Sequence, residues 1–517
     1  MRVSGTGLDD QTWTQFKYTP LEANDIDSDP TSSKPTMERL KSNDSYTMRK
    51  VPSQTISPST TDDNDNEAGG PSNTHQHDTE NATTYRVYPS RFYGLILLVL
   101  LNIMISWSWL TFASLSTTSA SYFGVSEASI NWLSTAFLFA FIPMAPLVIL
   151  TLNKGGPKRA IIISSALVLV GNWIRYLGTR YPQRPSPLGS GTFPLVMFGQ
   201  ILIGFAQPFV LAAPTRYSAL WFSDSGRVSA TAFASLANPF GAALGQLIGP
   251  LWADTPSQIP RMVLYTSILS SAITILAPFT PSAPPTPPSA IAASEKLDLR
   301  AALRVLPRNR QFWLLLLPFG IYVGFFNACS SLLNQIFAPY GFTETEAGIA
   351  GGLLIVIGLI ASAIVSPLVD RTKHYLLTIK ILVPIIASSY LALIFMPATR
   401  SVIGPYIICS LLGASSFSLL PCALEYLVVI THPVSPEITS VICWTGGQLL
   451  GAVFIVIMTA LRGGAGSKPQ GEMGRALVFE AVVAWVGVPF ALVLGLGLGW
   501  AGRGRGRGGM RLEEEEG

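Results

Sequence analysis

Charge is scarce in this sequence. Asp, Glu, Lys and Arg make up 12% of its 517 residues, whereas soluble domains carry about 25%. Hydrophobic residues make up 49%, and the mean hydropathy is +0.41. So little charge cannot clothe a water-facing surface, which excludes a soluble globular protein and points to a polytopic protein of the lipid bilayer. The net charge is only +4, and no Lys/Arg stripe carries interleaved aromatics, so nucleic acid is not an expected partner. The four cysteines, Cys329, Cys409, Cys422 and Cys443, all lie in apolar segments and read as small core residues, which excludes a disulfide scaffold. Histidine is equally sparse: His75, His77, His374 and His432 fall outside the apolar runs or at their ends. No Ser/His/Asp set, metal-spaced cluster or phosphate-cradling Gly loop is present, so neither an enzyme nor a cofactor or metal site is expected.

The first 90 residues differ from the rest. They are rich in Ser, Thr, Asp, Asn and Pro and lack aliphatic runs, so they are expected to be a disordered tail. No apolar segment near Met1 has the form of a signal peptide. From Phe92 onward, apolar stretches of roughly 20 residues recur, each long enough to cross a hydrocarbon core of ~30 Å. Spans 1 to 6 are placed near 92–116, 129–152, 159–178, 191–213, 228–252 and 261–280. Spans 7 to 12 are placed near 311–335, 345–369, 376–396, 402–430, 437–461 and 476–500.

The expected fold is an all-α membrane protein of twelve transmembrane helices in two six-helix pseudo-repeats. The bundles occupy 91–280 and 311–500, joined by a loop at 281–310 and followed by a tail at 501–517. A repeat supports this division. Gly341-Phe-Thr-Glu344 stands 217 residues after Gly124-Val-Ser-Glu127, and Asp370-Arg371 stands 217 after Asn153-Lys154. Thr343 and Glu346 also form a capping-box pattern before an apolar run.

Lys154, Lys158 and Arg159 after span 2, Arg216 and Arg227 after span 4, and Arg371 and Lys373 after span 8 bias those loops to the cytosol. Five Lys/Arg between Lys296 and Arg310 do the same for the central loop. Both termini are then cytosolic, and the glycosylation patterns at Asn43 and Asn81 would go unused. The plasma membrane is the expected location and an internal membrane the alternative. Oligomeric state is not legible.

Polar side chains within spans usually face a watery path. Asn102, Ser106, Trp109, Ala113 and Ser116 form one stripe on span 1, and Gln200, Gly204 and Gln207 another on span 4. Ser235, Asn238 and Ala242 follow on span 5, then Gly320, Gly324, Asn327, Ser331 and Asn334 on span 7. Span 10 has Ser418, Cys422 and Glu425, and span 11 Trp444 and Gln448. The repeat offset relates Trp109 to Phe326, with Tyr322 one turn away. An aromatic-walled cavity with amides suits a small organic cation with a polar tail, because ring faces attract ammonium groups. Helix-packing glue is the bland alternative for any single amide. Glu425 is read as the one acidic residue in mid-span, with coupling, cation contact or a structural pairing all open; with no acidic relay, uniport is the expectation.

Particular runs carry a resemblance. Trp109, Tyr122-Phe-Gly-Val-Ser126 and Ile130-Asn-Trp-Leu-Ser134 are similar to the feline leukaemia virus subgroup C receptor family of major facilitator transporters. So are Gly171-Asn-Trp-Ile-Arg175, Ala206-Gln-Pro-Phe209, Ser330-Ser-Leu-Leu-Asn-Gln335, Asp370-Arg-Thr-Lys373 and Gly446-Gly-Gln-Leu-Leu-Gly451. The similarity covers about 90–460. It implies transport of choline, or of a related amine such as ethanolamine, by facilitated diffusion; haem export is also attributed to the family. It further implies a cation seat at Trp109, with amides at Gln207, Asn238 and Gln448, and a charge latch at Asp370 and Arg371. The family's span-7 Tyr falls on Asn327 here, and Asn153 stands where an Asp is usual. Phe326 or Tyr322 would then close the opposite wall. The alternatives are an exporter of haem or another amphipathic solute, and a non-transporting sensor or scaffold on the same fold.

Overall fold

The computed structural model describes residues 86–180, 192–286, 288, 304–431, 434–464 and 466–496. All of these belong to one compact unit, Asn81–Gly517. Residues 1–85 of the expected tail, with Asn43, His75, His77 and Asn81, lie outside the described residues. So do His432, the loop residues 289–303 and the end of the chain from 497.

Apolar runs become helices here because a backbone in lipid must satisfy its own hydrogen bonds. Ten of the described helices are long and apolar enough to cross a membrane. One of them, Glu127–Arg180, is interrupted at Gly156 (φ 67°, ψ 178°) and carries both span 2 and span 3. Span 5, Asp224–Trp252, completes the twelve; its Asn, Gln, Pro and small residues dilute its apolar character. Span 4 is bent into Phe193–Leu211 and Ala213–Trp221, with Pro208 and Pro214 breaking the ladder. Span 6 centres on Ile259–Thr274. Spans 7 to 12 are Arg310–Phe337, Glu344–Thr372, Tyr375–Leu393, Ile403–Thr431, Pro436–Ala460 and Gly474–Val493.

The 217-residue offset reappears in the backbone. Gly124 (φ 64°) and Gly341 (φ 95°) are both left-handed immediately before their helices. Open space surrounds the missing Cβ at each, so the turn itself is what favours glycine there. Thr343 then caps span 8 in a complete capping box with Glu346, and its counterpart Ser126 accepts from the Ser129 backbone N–H at 3.2 Å.

Span 1 departs from the expected 92–116 helix. It ends at Leu110 and restarts as Ser116–Phe123, so Ala113 and Ser116 do not continue the helical stripe of Asn102, Ser106 and Trp109. The break falls one residue after Trp109.

The halves are tied together at the end of the bundle that carries Gly124 and Gly341. Glu344, at the start of span 8, accepts from the backbone N–H groups of Thr117 (3.0 Å) and Thr118 (3.1 Å), from the Thr118 hydroxyl (2.6 Å) and from Asn334 Nδ2 (3.0 Å). Its repeat counterpart Glu127 accepts from the Thr117 hydroxyl at 2.9 Å and pairs with Arg462 at 2.5 Å. Asn131 and Gln335 exchange hydrogen bonds at 3.1 and 2.6 Å, Asn131 also donates to Thr459 at 2.9 Å, and Gln246 donates to Ser330 O at 2.6 Å. These contacts zip spans 1, 2 and 5 onto spans 7, 8 and 11.

Hydrogen bonds to a charged acceptor contribute about 1.5–3 kcal/mol each. Glu344→Ala removes four of them at once and is expected to shift the conformational equilibrium toward opening of this end by at least about tenfold, since 1.4 kcal/mol is tenfold. Solvent accessibility of a cysteine placed at Ser116, read by maleimide labelling, checks this.

Candidate functional site

The last four carbonyls of a helix have no partner within it, and at Trp109 each finds one elsewhere. Trp107 O accepts from the Thr111 hydroxyl at 2.9 Å, and Leu110 O from the Ser114 backbone N–H at 3.1 Å. Ser108 O accepts from Arg175 Nη1 at 3.2 Å and from Gln200 Nε2 at 3.4 Å. Trp109 O accepts from the same Gln200 amide at 3.4 Å. Spans 3 and 4 therefore hold the break in span 1, and with it the indole.

Arg175 is fully buried (0% exposed) and also donates to Asn172 Oδ1 at 3.3 Å, with its guanidinium 4.8 Å from the Phe112 ring centre. A cation at a helix C-terminus is favoured by the helix dipole. The sequence pattern places Arg175 near the edge of span 3 and assigns it no role. Its signal was a charge between apolar neighbours.

Trp109 is buried and stacks on Phe137 of span 2, with ring centres 6.0 Å apart and planes 13° from parallel. Its indole Nε1 has no hydrogen-bond partner, and neither does Oε1 of buried Gln207. Asn238 donates to Asn102 Oδ1 at 3.4 Å, and Asn102 in turn donates to Val210 O at 3.1 Å, one turn along span 4 from Gln207. Gln207, Asn102 and Asn238 thus share one region of the first half.

Asn327 and Gln448 are buried together in the second half, the Asn327 amide donating to Gln448 Oε1 at 3.0 Å. Span 2 reaches both groups. Phe137 stacks on Trp109, and the next residue, Leu138, lies beside Gly451, where an added Cβ would meet Asn327 Cβ at 2.9 Å and Leu138 Cδ1 at 3.3 Å.

The two aromatics expected to close the opposite wall are engaged elsewhere. Phe326 packs edge-on against Phe417 of span 10, with ring centres 5.3 Å apart. The Tyr322 hydroxyl donates to Ala484 O of span 12 at 2.8 Å. Glu425 is exposed on span 10. Asp370 and Arg371 fall in the last turn of span 8, with Arg371 exposed.

Several unsatisfied buried polar atoms recur on residues of the polar stripes. Besides Trp109 Nε1 and Gln207 Oε1 they include the hydroxyls of Ser106, Ser331 and Ser418. They lie on spans 1, 4, 7 and 10, two from each half. Buried polar atoms without partners are uncommon in folded proteins.

Span 12 carries a second acidic residue within the spans. Glu480 of span 12 is 0% exposed, so Glu425 is not the one acid within a span.

The Major Facilitator Superfamily model matches residues 95–455. The chain belongs to this superfamily. Solute carrier family 49 member A3 of Danio rerio is 33% identical over 390 residues, covering 74% of this chain and 81% of its own length. A choline/ethanolamine transporter, FLVCR1 of Mus terricolor, is 28% identical over 394 residues, covering 71% and 69%. The fold is similar to that of the Escherichia coli xylose transporter XylE in a partially occluded inward-open conformation, with a TM-score of 0.59 and 14% identity over 79% of this chain and 97% of that one. At that identity the likeness shows the fold alone. The chain is thus a multi-pass membrane transporter related to the feline leukaemia virus subgroup C receptor proteins, and it is not an enzyme.

Proposed function

We propose that this transporter moves a small organic cation, choline or a related amine such as ethanolamine, by alternating access. The buried Trp109 ring, held at a helix break with its indole Nε1 unpartnered, is the observation that carries this reading. The ammonium group sits against the indole, attracted by the ring quadrupole. Gln207 and Asn238 orient the solute within the first half. The Asn327–Gln448 pair meets its hydroxyl or amine tail across the interface, in place of a second ring. Similarity to a protein named as a choline/ethanolamine transporter supports the same class.

The Lys/Arg bias puts the loop of Lys154 in the cytosol, so the zipped end at Glu344 faces away from it; the plasma membrane is the expected location and an internal membrane the alternative. The expectation of uniport rests on the lack of an acidic relay, and Glu480 adds a single buried carboxyl to the spans.

A desolvated cation–π contact contributes about 2 kcal/mol or more, a factor of about 30. Radiolabelled choline uptake by cells expressing Trp109→Ala is therefore expected to fall to background, with the variant present in the membrane at the wild-type level. Uptake unchanged in that variant would overturn the assignment.

A further inference from the structure

Glu480 lies on the seventh residue of the span-12 helix, roughly 9 Å below its start at 1.5 Å per residue. It is fully buried, and neither carboxyl oxygen has a hydrogen-bond partner. The ionisable groups within electrostatic reach are Cys329 of span 7, Tyr390 of span 9 and Cys409 of span 10. Tyr322, also on span 7, is within electrostatic reach of Tyr390 but spends its hydroxyl on Ala484 O. Span 11 contributes Phe454, which stacks on Phe325 at 4.2 Å and meets Phe479 edge-on at 5.8 Å. Phe325 also packs on Tyr390 at 5.7 Å. On its own helix, Arg475 is exposed. On span 9, Lys380 stands ten residues before Tyr390, about 15 Å along the axis.

No cation among these groups compensates the carboxyl, and an isolated carboxylate in such surroundings neutralises itself rather than remain charged. In this conformation Glu480 is therefore a carboxylic acid. Span 7 is both the cover over Glu480 and the helix that closes the bundle. Span 7 packs against span 12 with Cys329 within electrostatic reach of the carboxyl, while Ser330, Asn334 and Gln335 on the next two turns make the zipper contacts to the first half. Unzipping must move the cover.

We propose that Glu480 is a proton-binding site, closed and loaded while the Glu344 end is zipped, and in exchange with water when that end opens. On opening, the carboxyl O–H bond breaks, the proton passes to water, and the electron pair stays on the carboxylate. Closure requires the reverse. The sign follows: the closed state binds the proton more tightly, so acid favours closure and raising the pH favours opening. Alternating access is the only premise, and the identity of the solute does not enter.

The test needs no substrate. Spin labels at Ser121→Cys and Thr345→Cys, both exposed and on opposite halves of the Glu344 end, report opening of full-length protein in lipid nanodiscs by double electron–electron resonance. The four native cysteines are buried and stay unlabelled. Raising the pH is expected to increase the long-distance population, by up to about tenfold per pH unit for one proton. Glu480→Gln is expected to remain closed and to lose that response. Infrared difference spectra of the same samples should show a carboxyl C=O band that fades as the pH rises in wild type and is absent from the Gln variant.

A pH-independent distance in wild type, or a response that persists in the Gln variant, would overturn the proposal. If the Gln variant does not fold, Glu480→Asp decides. A displaced pH midpoint supports a titrating group at this position, and an unchanged midpoint contradicts it.

Discussion

Arg175→Met is expected to abolish amine transport while leaving the protein as stable as wild type or more so. Arg175 carries a cation with no carboxylate partner into full burial, and its Nε and Nη2 atoms make no hydrogen bond. Burying an uncompensated ion costs several kcal/mol. The Phe112 ring and the carbonyls at the end of the span-1 helix offset only part of this. Methionine removes the cation and nearly preserves the volume.

What is lost is smaller. Ser108 O keeps only the 3.4 Å contact from Gln200, and Asn172 Oδ1 only a 3.4 Å contact from the Ser108 hydroxyl. Weakening two buried acceptors costs about 1–3 kcal/mol. The two effects offset each other in stability but not in function, because the same bonds fix where span 1 breaks and so where Trp109 stands. Uptake should drop at least about tenfold, the consequence of 1.4 kcal/mol at the binding step. Arg175→Lys should not restore it, since its ammonium ends one bond short of the Nη1 position from which both acceptors are served. Thermal unfolding in detergent and uptake in cells are the two readings. Full transport by the Met variant would show that Arg175 does not hold the site.

Gly413→Ala is expected to be the most damaging single methyl group in the second half. A Cβ at Gly413 would stand 1.7 Å from Leu354 O and 2.6 Å from Leu354 C. These are backbone atoms of span 8 that no rotamer change can move. Gly358, one turn on, faces back across the same crossing, its own Cβ position 2.7 Å from Gly413 O. In lipid, close packing of small residues is a main source of helix association. Forcing spans 8 and 10 apart should therefore exceed the 1–3 kcal/mol of ordinary overpacking, roughly doubling it or more. Gly446→Ala is the control: its nearest neighbour is Leu316 Cδ1 at 3.6 Å, an ordinary contact. Size-exclusion profiles after heating should show Gly413→Ala aggregating at a lower temperature than wild type and Gly446→Ala unchanged. Equal stability of the two variants would mean that the crossing tolerates separation.

Helix number and the repeat were legible because both depend on chain length and apolar pattern. Twenty-residue runs must be helical in lipid, and a constant 217-residue offset survives as paired left-handed glycines at Gly124 and Gly341. The break in span 1 was not legible. Thr111-Phe-Ala-Ser-Leu115 contains neither Pro nor Gly, and the interruption is set by distant partners: Arg175, Gln200 and Gly245 O, which accepts from Ser114 at 3.1 Å.

Periodicity placed Tyr322, Phe326 and Asn327 on one helix but could not say which neighbour each would face. The structure sends them to span 12, span 10 and Gln448 respectively. Arg175 and Glu480 are a different matter. Each is a lone charge flanked by apolar residues, a signal present in the sequence, and the expectation of mid-span charge settled on Glu425 alone.

The most direct measurement is choline counterflow in proteoliposomes containing the purified full-length chain. Unlabelled choline is loaded inside and labelled choline added outside, for wild type and Trp109→Ala. An alternating-access carrier with its cation seat at Trp109 should take up label faster when the interior is preloaded. Ethanolamine outside should compete, and the Trp109→Ala variant should show neither effect. Label uptake indifferent to the internal load, or equal in the variant, would contradict a Trp109-centred amine carrier.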